Sequence, residues 1–299
     1  MSVSRRVFVS VSPRHKLDQR RQGIRQAVLD QILKRGYQLE VTLESGEAAE
    51  LSWSFENIET IVRRCIGVVA LAFPRWSISE KGRDLLLASE YIHYEGAVAN
   101  LLRLPLLVIA ERGLADRAVT RTGGGHPILF IPPDADASWV STPAFGDRFD
   151  VWVNQLKRRN DVFLGYCSKS EPTAQAIHLF LTQKLGVTVL DWAMDFAGGG
   201  LILEEIERAS QGCSCGIFLF TKDDDFVDGG LDRAAPRDNV VFEAGYFASS
   251  KGHTKALIVR EEGAKMPADI GGSIYLLLRN KGDIRPIQTA LQDFVEQRL

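Results

Sequence analysis

The stretch Arg-Asp-Asn-Val-Val-Phe-Glu-Ala-Gly-Tyr-Phe, residues 237–247, follows an apolar segment, Gly-Ile-Phe-Leu-Phe-Thr-Lys-Asp-Asp, residues 216–224. A further apolar run lies at residues 256–260. Short apolar runs bounded by polar residues predict buried strands, and the residues around Glu243 predict the start of a helix between them. A strand, a helix and a strand in this order indicate a βαβ unit, which requires a parallel sheet covered by helices.

The same order of predicted elements occurs in both halves of the chain, and each half places a glutamate before small residues. The predicted strands lie at residues 6–11, 37–43, 68–73, 106–110 and 128–131 in the first half and at residues 161–165, 187–191, 217–220, 256–260 and 274–278 in the second. A length of 299 residues suits two domains. We therefore predict an α/β chain of two tandem flavodoxin-like domains, residues 1–158 and 160–299, each a parallel sheet with helices on both faces. Residues 115–126 and 225–237 are predicted to be loops.

Composition argues against several classes of partner. The chain is 45% hydrophobic and 25% charged with a formal net charge of -2, which is typical of a soluble globular protein and gives no signature for binding nucleic acid. Its apolar runs are too short for a membrane span or a signal peptide, so we expect a cytoplasmic protein. The four cysteines lack metal-binding spacing, and we predict no metal site.

Ligands of open parallel sheets bind beyond the carboxyl ends of the strands, where the polar loops of the second half are expected to converge. Helix N-termini after such loops suit a diphosphate. The chain has no Rossmann or P-loop motif, so hydride and phosphoryl transfer have little support. The candidate site residues of this half are Tyr166, Ser168, Lys169, Trp192, Phe196, Asp223, Asn239 and Glu243.

Residues 161–278 resemble the TIR-like domain of prokaryotic predicted nucleotide-binding proteins, the kind fused to bacterial STING in antiphage systems. The resemblance rests mainly on Asn-Val-Val-Phe-Glu at residues 239–243 and Pro-Ala-Asp-Ile-Gly at residues 267–271. It implies that Glu243 is the catalytic glutamate of an NAD+ glycohydrolase, with NAD+ as substrate and no cofactor required. It also implies self-association into a homo-oligomer on activation. Ala244 stands where the family usually has Leu or His.

The chemistry of NAD+ is compatible with a single catalytic carboxylate. Nicotinamide leaves the ribose as a neutral molecule, so no general acid is needed, and a fixed carboxylate can stabilise an oxocarbenium-like transition state. Two plainer interpretations stay open. A glutamate near a helix start also complements the helix dipole, and an acidic run such as residues 223–225 is often only a solvated surface.

The first half carries a related but weaker pattern. Glu95-Gly96-Ala97 and the strand after it are similar to nucleoside deoxyribosyltransferase-like and TIR-like domains, without the Asn-Val-Val-Phe lead. We expect this half to sense a nucleotide second messenger, or to serve only in assembly. Alternatives for the whole chain are a non-catalytic nucleotide-binding signalling scaffold, and a deoxyribosyltransferase-like enzyme centred on Glu95 with His93 as its acid. The predicted ligand residues of this half are Ser12, Arg14, Trp53, Phe73, Arg75, Trp76, Tyr94 and Glu95.

Overall fold

The computed structural model describes residues 5–41, 54–80, 82–191, 202–228, 231–268 and 275–299. It divides into two compact units, an N-terminal unit over Ser4–Arg158 and a C-terminal unit that contains Arg159–Leu299. Each unit has its own five-stranded sheet and its own apolar core. Among the described residues, no helix combines the length and the apolar character needed to cross a membrane.

The N-terminal unit is built on a parallel sheet with the strand order β2-β1-β3-β6-β7. A separate antiparallel hairpin, β4–β5, lies between the third sheet strand and the next helix. The elements are β1 (Arg6–Val11), α1 (Gln19–Lys34), β2 (Gln38–Glu40), α2 (Phe55–Val62), β3 (Gly67–Ala72), β4 (Trp76–Glu80), β5 (Arg83–Leu87), α3 (Glu90–Leu101), β6 (Leu106–Glu111), β7 (Ile128–Ile131) and α4 (Pro143–Lys157).

The C-terminal unit repeats this arrangement with a parallel sheet in the order β14-β13-β10-β8-β9 and a hairpin, β11–β12, at the equivalent place. The elements are β8 (Asn160–Gly165), α5 (Glu171–Leu179, continued by a π-helical turn over Phe180–Lys184), β9 (Val189–Asp191), α6 (Ile202–Gly212), β10 (Cys213–Phe220), β11 (Asp224–Asp228), β12 (Leu231–Ala235), α7 (Asp238–Lys251), β13 (Ala256–Glu261), β14 (Tyr275–Leu278) and α8 (Gln288–Arg298).

The predicted α/β class with parallel sheets is confirmed. Read in chain order within each unit, the sheet strands are arranged 2-1-3-4-5, the order of flavodoxin-like sheets. Every residue of β3 and of β6 is buried, as expected for strands covered on both faces. Successive side chains of a strand point to opposite faces. Leu164 of β8 accordingly packs in the core that contains Ile177 and Leu291, whereas Phe163 packs in the core that contains Phe247.

The prediction that residues 225–237 form a loop is wrong. Asp224–Asp228 and Leu231–Ala235 pair as antiparallel strands, with Phe226 opposite Arg233. The acidic run Asp223-Asp224-Asp225 hides the strand because aspartate is depleted in strands. The usable signal is the Gly-Gly pair at residues 229–230, a typical hairpin turn sequence. Residues 115–126, in contrast, contain only a short 3-10 turn, Ala118–Thr120, between β6 and β7.

Candidate functional site

A pocket of about 440 Å³ opens at the carboxyl end of β8, where the chain leaves the sheet next to the first turns of α7. This is the edge at which open parallel sheets bind ligands. Two segments far apart in sequence supply its walls: residues just after β8, and residues at the start of α7. The described side chains that line it are Tyr166, Cys167, Ser168, Glu171, Arg237, Asn239, Val240 and Glu243.

Glu243 forms the buried end of this pocket. The residue is 1% exposed, and its Oε2 atom has no hydrogen-bond partner among the residues that the structure describes. Burial raises the pKa of the Glu243 carboxyl from 4.5 to about 8, because the charged form loses its hydration without a compensating partner. A buried carboxyl oxygen without a partner keeps its capacity to accept a hydrogen bond from a group that enters the pocket. The carboxyl is therefore placed to meet a ligand that enters the pocket.

The apolar surroundings of Glu243 come from three phenylalanines on the same side of the sheet. Phe163 stacks on Phe247 with ring centroids 4.9 Å apart, and Phe218 meets Phe247 edge to face at 5.3 Å. All three rings are fully buried. Apolar groups offer a carboxylate no hydration, and desolvation by burial is the physical cause of the raised pKa of Glu243.

Gly165, the last residue of β8, makes room for the carboxyl. A Cβ atom at this position would lie 2.6 Å from Glu243 Oε2 and 2.8 Å from Phe218 Cδ1. Both distances are well inside van der Waals contact. A glycine is thus required here for space, since its backbone does not adopt a positive φ angle.

Asp223 connects the end of β10 to the start of α7. Its carboxylate accepts hydrogen bonds from Thr221 Oγ1 at 2.7 Å and from the Arg237 backbone N–H at 3.1 Å. Lys169 also contacts this residue, because its Nζ donates a hydrogen bond to the Asp223 carbonyl oxygen at 2.5 Å. Asp223 and Lys169 therefore support the site from outside the pocket lining, although the sequence places them among the nucleotide-binding candidates.

Tyr166 is held in the pocket wall by a buried carboxylate. Its hydroxyl donates to Asp191 Oδ1 at 2.8 Å, and Asp191 Oδ2 lies 3.4 Å from His178 Nδ1. Burial, followed by the hydrogen bond to Asp191, raises the pKa of the Tyr166 hydroxyl, so the side chain stays neutral across the physiological range.

The structure thus brings Tyr166, Ser168, Asn239 and Glu243 together around one pocket. Trp192 and Phe196 lie outside the described residues. Sequence reasoning missed Glu171 and Arg237 as lining residues. Arg237 lies directly before α7, the helix that carries Glu243, and this position in the sequence could have indicated that it lines the pocket.

The equivalent edge of the N-terminal unit carries a much narrower cleft of about 20 Å³, enough for roughly one water molecule. Ser12, Phe73, Arg75 and Glu95 line it, as the sequence predicts. The other candidates do not line it, and their side chains are engaged elsewhere: Arg14 with Gln22, Trp76 with Glu90, and Tyr94 with the Phe55 carbonyl. Trp53 lies outside the described residues.

Glu95 of this cleft differs from Glu243 in having a hydrogen-bond donor beside it. The Ser10 hydroxyl donates to Glu95 Oε2, and both residues are buried. Ser10 pairs with Ala70 in β3, as Gly165 pairs with Phe218 in β10, so serine and glycine occupy matching places in the two units. His93 does not line the cleft, and burial, followed by the nearby Arg117, lowers the pKa of its imidazole. Among the described residues, His93, the acid that the sequence suggests for a deoxyribosyltransferase-like reaction, is therefore not part of the cleft that Glu95 lines.

In the described part of the chain, no group of three or more His, Cys, Asp or Glu side chains is placed to bind a metal ion. Cys213 and Cys215 are buried in β10, and burial raises the pKa of each thiol to about 12. Neutral buried thiols of this kind are inert packing groups.

The C-terminal half is similar to a known protein family. Residues 161–280 match the family model described as CAP12/Pycsar effector protein, TIR domain. The match confirms the TIR-like resemblance of this half that the sequence motifs indicate.

Curated relatives cover the chain in part. Pycsar effector protein BcPycTIR from Burkholderia cepacia is 35% identical over 153 residues, which cover 48% of this chain and 50% of that protein. CD-NTase-associated protein 12 from Sphingobacterium faecium is 29% identical over 107 residues, 36% of this chain and 33% of that protein. The protein of the same name from Niabella drilacis is 31% identical over 122 residues, 39% of this chain and 38% of that protein. The chain thus spans between a third and a half of the length of these relatives.

Proposed function

Because residues 161–280 match a TIR domain family of effector proteins, we propose that this chain is an NAD+ glycohydrolase that cleaves the bond between nicotinamide and ribose. One observation carries the proposal. The carboxyl of Glu243 is buried, one of its oxygens has no hydrogen-bond partner in the described part of the chain, and it lines a pocket of about 440 Å³ at the ligand-binding edge of a parallel sheet.

The proposed reaction needs one carboxylate and one water molecule. The bond between ribose C1′ and the pyridinium nitrogen breaks, and its electron pair neutralises the ring nitrogen, so nicotinamide leaves without protonation. Glu243 accepts hydrogen bonds from the ribose hydroxyls and stabilises the positive charge that develops on the sugar. Water then attacks C1′ and releases one proton, which gives ADP-ribose, nicotinamide and H+.

The burial of Glu243 suits this reaction because substrate binding changes its ionisation. In the free protein the carboxyl has a pKa of about 8 and is largely protonated at neutral pH. The nicotinamide ring of NAD+ carries a positive charge, and an adjacent positive charge lowers the pKa of a carboxyl group. The substrate itself therefore favours the carboxylate that its cleavage requires.

We further propose an effector role in antiphage defence. Two kinds of similar protein support it by their names, a Pycsar effector protein and CD-NTase-associated proteins. In this proposal the C-terminal unit is the NAD+-cleaving domain. The N-terminal unit, with its matching strand order, is a second TIR-like domain for sensing a nucleotide signal or for assembly. Activation proceeds through self-association, because unregulated loss of NAD+ would harm the cell that makes the enzyme.

The direct test is nicotinamide release from NAD+ by the full-length protein at high concentration with a crowding agent, beside Glu243→Gln. The glutamine variant keeps the size of the side chain and removes its charge. Release by the native protein and a loss of about 10² to 10³ in rate in a folded variant support the proposal. Equal rates in both proteins, or tight NAD+ binding with no turnover in either, would favour a nucleotide-binding scaffold instead.

A further inference from the structure

Charged side chains are unevenly distributed in the C-terminal pocket. Glu171 and Glu243 are the acidic groups of its lining, and Arg237 is the one basic side chain among the lining residues that the structure describes. Lys169 follows Ser168 in sequence, but its ammonium group donates to the Asp223 carbonyl and does not line the pocket. If a ligand has a cationic and an anionic end, its anionic end would therefore pair with Arg237.

The backbone of Arg237 is fixed relative to Glu243. Its N–H donates to the buried carboxylate of Asp223, and its carbonyl accepts the first backbone hydrogen bonds of α7, from Val240 and Val241. Arg237 and Glu243 are six positions apart in sequence, which corresponds to about 9 Å along a helix axis. A ribose at Glu243 would place its 5′ substituent within reach of a long, flexible arginine side chain that starts at this distance.

The guanidinium of Arg237 has a partner that an incoming anion can replace. Its Nε lies 3.2 Å from Asp224 Oδ2, and both side chains are nearly half exposed, at 46% and 47%. Exposed ion pairs of this kind are weak because water competes for both charges. A phosphate, in contrast, offers several oxygens that match the planar fork of a guanidinium.

We propose that Arg237 is the residue that recognises the phosphates of the nucleotide substrate, and that it exchanges Asp224 for the ligand's 5′-phosphate or diphosphate. The inference rests on the proposed function for the identity of the substrate. It assigns an orientation: the cationic nicotinamide riboside lies toward Glu243, and the diphosphate lies toward the start of α7. It also makes phosphate-bearing substrates preferred over nucleosides.

Three substrates separate phosphate recognition from a general effect on the site. NAD+, nicotinamide mononucleotide and nicotinamide riboside share the bond to be broken, and only the first two carry phosphate. Each would be tested with the native chain, Arg237→Gln and Arg208→Gln. Arg208→Gln is a suitable control because it removes the same charge from an exposed arginine of α6, which pairs with Glu205 and does not line the pocket.

We expect Arg237→Gln to lower kcat/KM for NAD+ and nicotinamide mononucleotide about 10- to 100-fold, the range that charge-assisted hydrogen bonds produce. For nicotinamide riboside, kcat/KM of Arg237→Gln should stay within about twofold of that of the native chain. Arg208→Gln should keep kcat/KM for all three substrates within about twofold of the native values. An equal loss for all three substrates, or no loss for any, would overturn the proposal.

A binding measurement keeps this inference separate from the proposed reaction. ADP-ribose and adenosine would be titrated calorimetrically into the native chain and into Arg237→Gln, with circular dichroism to verify folding. We expect Arg237→Gln to weaken ADP-ribose binding at least tenfold without changing adenosine binding, whether or not the native chain cleaves NAD+. If the native chain cleaves NAD+ but Arg237→Gln binds ADP-ribose as tightly as the native chain does, the proposed reaction stands and the proposed role of Arg237 is rejected. Failure of ADP-ribose to bind the native chain would reject that role as well.

Discussion

Gly165 lies against the carboxyl of Glu243, so closely that a Cβ atom at residue 165 would stand 2.6 Å from Glu243 Oε2. The two residues come from different elements, the end of β8 and the middle of α7. In the N-terminal unit the matching pair is Ser10 and Glu95, and there the side chain at the strand end donates a hydrogen bond to the carboxyl. Within the described residues, the strand end therefore supplies a hydrogen-bond donor to the buried glutamate of the N-terminal unit and none to Glu243 Oε2.

Gly165→Ala should impair catalysis with limited damage to the fold. The added methyl group pushes against Glu243 Oε2 and Phe218, and overpacking of this kind destabilises by about 1–3 kcal/mol. A displaced catalytic group lowers the rate by about 10². Nicotinamide release and thermal melting would be measured together.

Gly245→Ala is the matched control for this substitution. Gly245 lies on the same helix as Glu243, and a Cβ atom there meets nothing within 4 Å. Alanine in a helix is more stable than glycine by up to about 1 kcal/mol, so this variant should melt slightly higher and keep its activity. A Gly165→Ala protein as active as Gly245→Ala would show that the close approach of residue 165 has no role in placing the carboxyl.

The stability of the protein should depend on pH through Glu243. The folded state raises the pKa of this carboxyl from 4.5 to about 8, so the folded state binds the proton more tightly than the unfolded state. The associated stability is fully present below pH 4.5 and is lost as pH rises toward 8. Glu243→Gln cannot ionise and escapes this loss.

Urea unfolding at pH 5 and pH 8.5 would test this dependence. The free energy of unfolding of Glu243→Gln, relative to that of the native protein, should be higher at pH 8.5 than at pH 5 by on the order of 3 kcal/mol. Comparison of the two proteins cancels the titration of all other groups. A constant difference would mean that Glu243 keeps an ordinary pKa in the folded state.

The pH–rate profile should report the same group. Because the carboxylate is the active form, kcat/KM for NAD+ should rise about tenfold per pH unit below pH 8 and level off above it. The midpoint for kcat should lie lower, since the bound pyridinium cation favours the carboxylate. A profile that rises toward acidic pH would indicate instead that the protonated form of Glu243 acts as a general acid.

Ser10→Ala should affect the stability of the N-terminal unit and leave NAD+ cleavage unchanged. The substitution removes a donor from the buried carboxyl of Glu95, and losing such a bond destabilises by about 1–3 kcal/mol. Ser12→Ala, at a partly exposed neighbouring position, should change stability by no more than about 0.5 kcal/mol. Denaturant unfolding and nicotinamide release would be measured for the native chain, Ser10→Ala and Ser12→Ala. The comparison would show whether a loss of stability in the N-terminal unit occurs without a loss of NAD+ cleavage.

Sequence patterns were sufficient for the parallel sheets because buried parallel strands are short apolar runs. β1 and β7 have the predicted bounds, and β8 and β13 differ by one residue. The hairpins were missed because their strands are only partly buried and carry charged residues such as Asp225, which resemble a loop in a single sequence. Such strands are defined by cross-strand pairing, which local composition does not reveal.

The candidate site shows the same division between local and long-range information. Tyr166, Ser168, Asn239 and Glu243 follow from the rule that ligands bind beyond the carboxyl ends of parallel strands. The positions of Asp223 and Lys169 depend instead on hydrogen bonds across the fold, which turn both side chains toward the protein. The role of Gly165 is visible only in the folded structure, because a glycine needed for space has no distinguishing sequence signal.

The most direct measurement compares the two buried glutamates in one assay. Nicotinamide release from NAD+ would be followed for the native chain, Glu243→Gln and Glu95→Gln at equal concentration, with folding verified by circular dichroism. Glu243→Gln should lose at least about 10² in rate, and Glu95→Gln should retain the native rate. A folded Glu243→Gln protein as active as the native chain would contradict the assignment of catalysis to the C-terminal pocket, whatever the effect of Glu95→Gln.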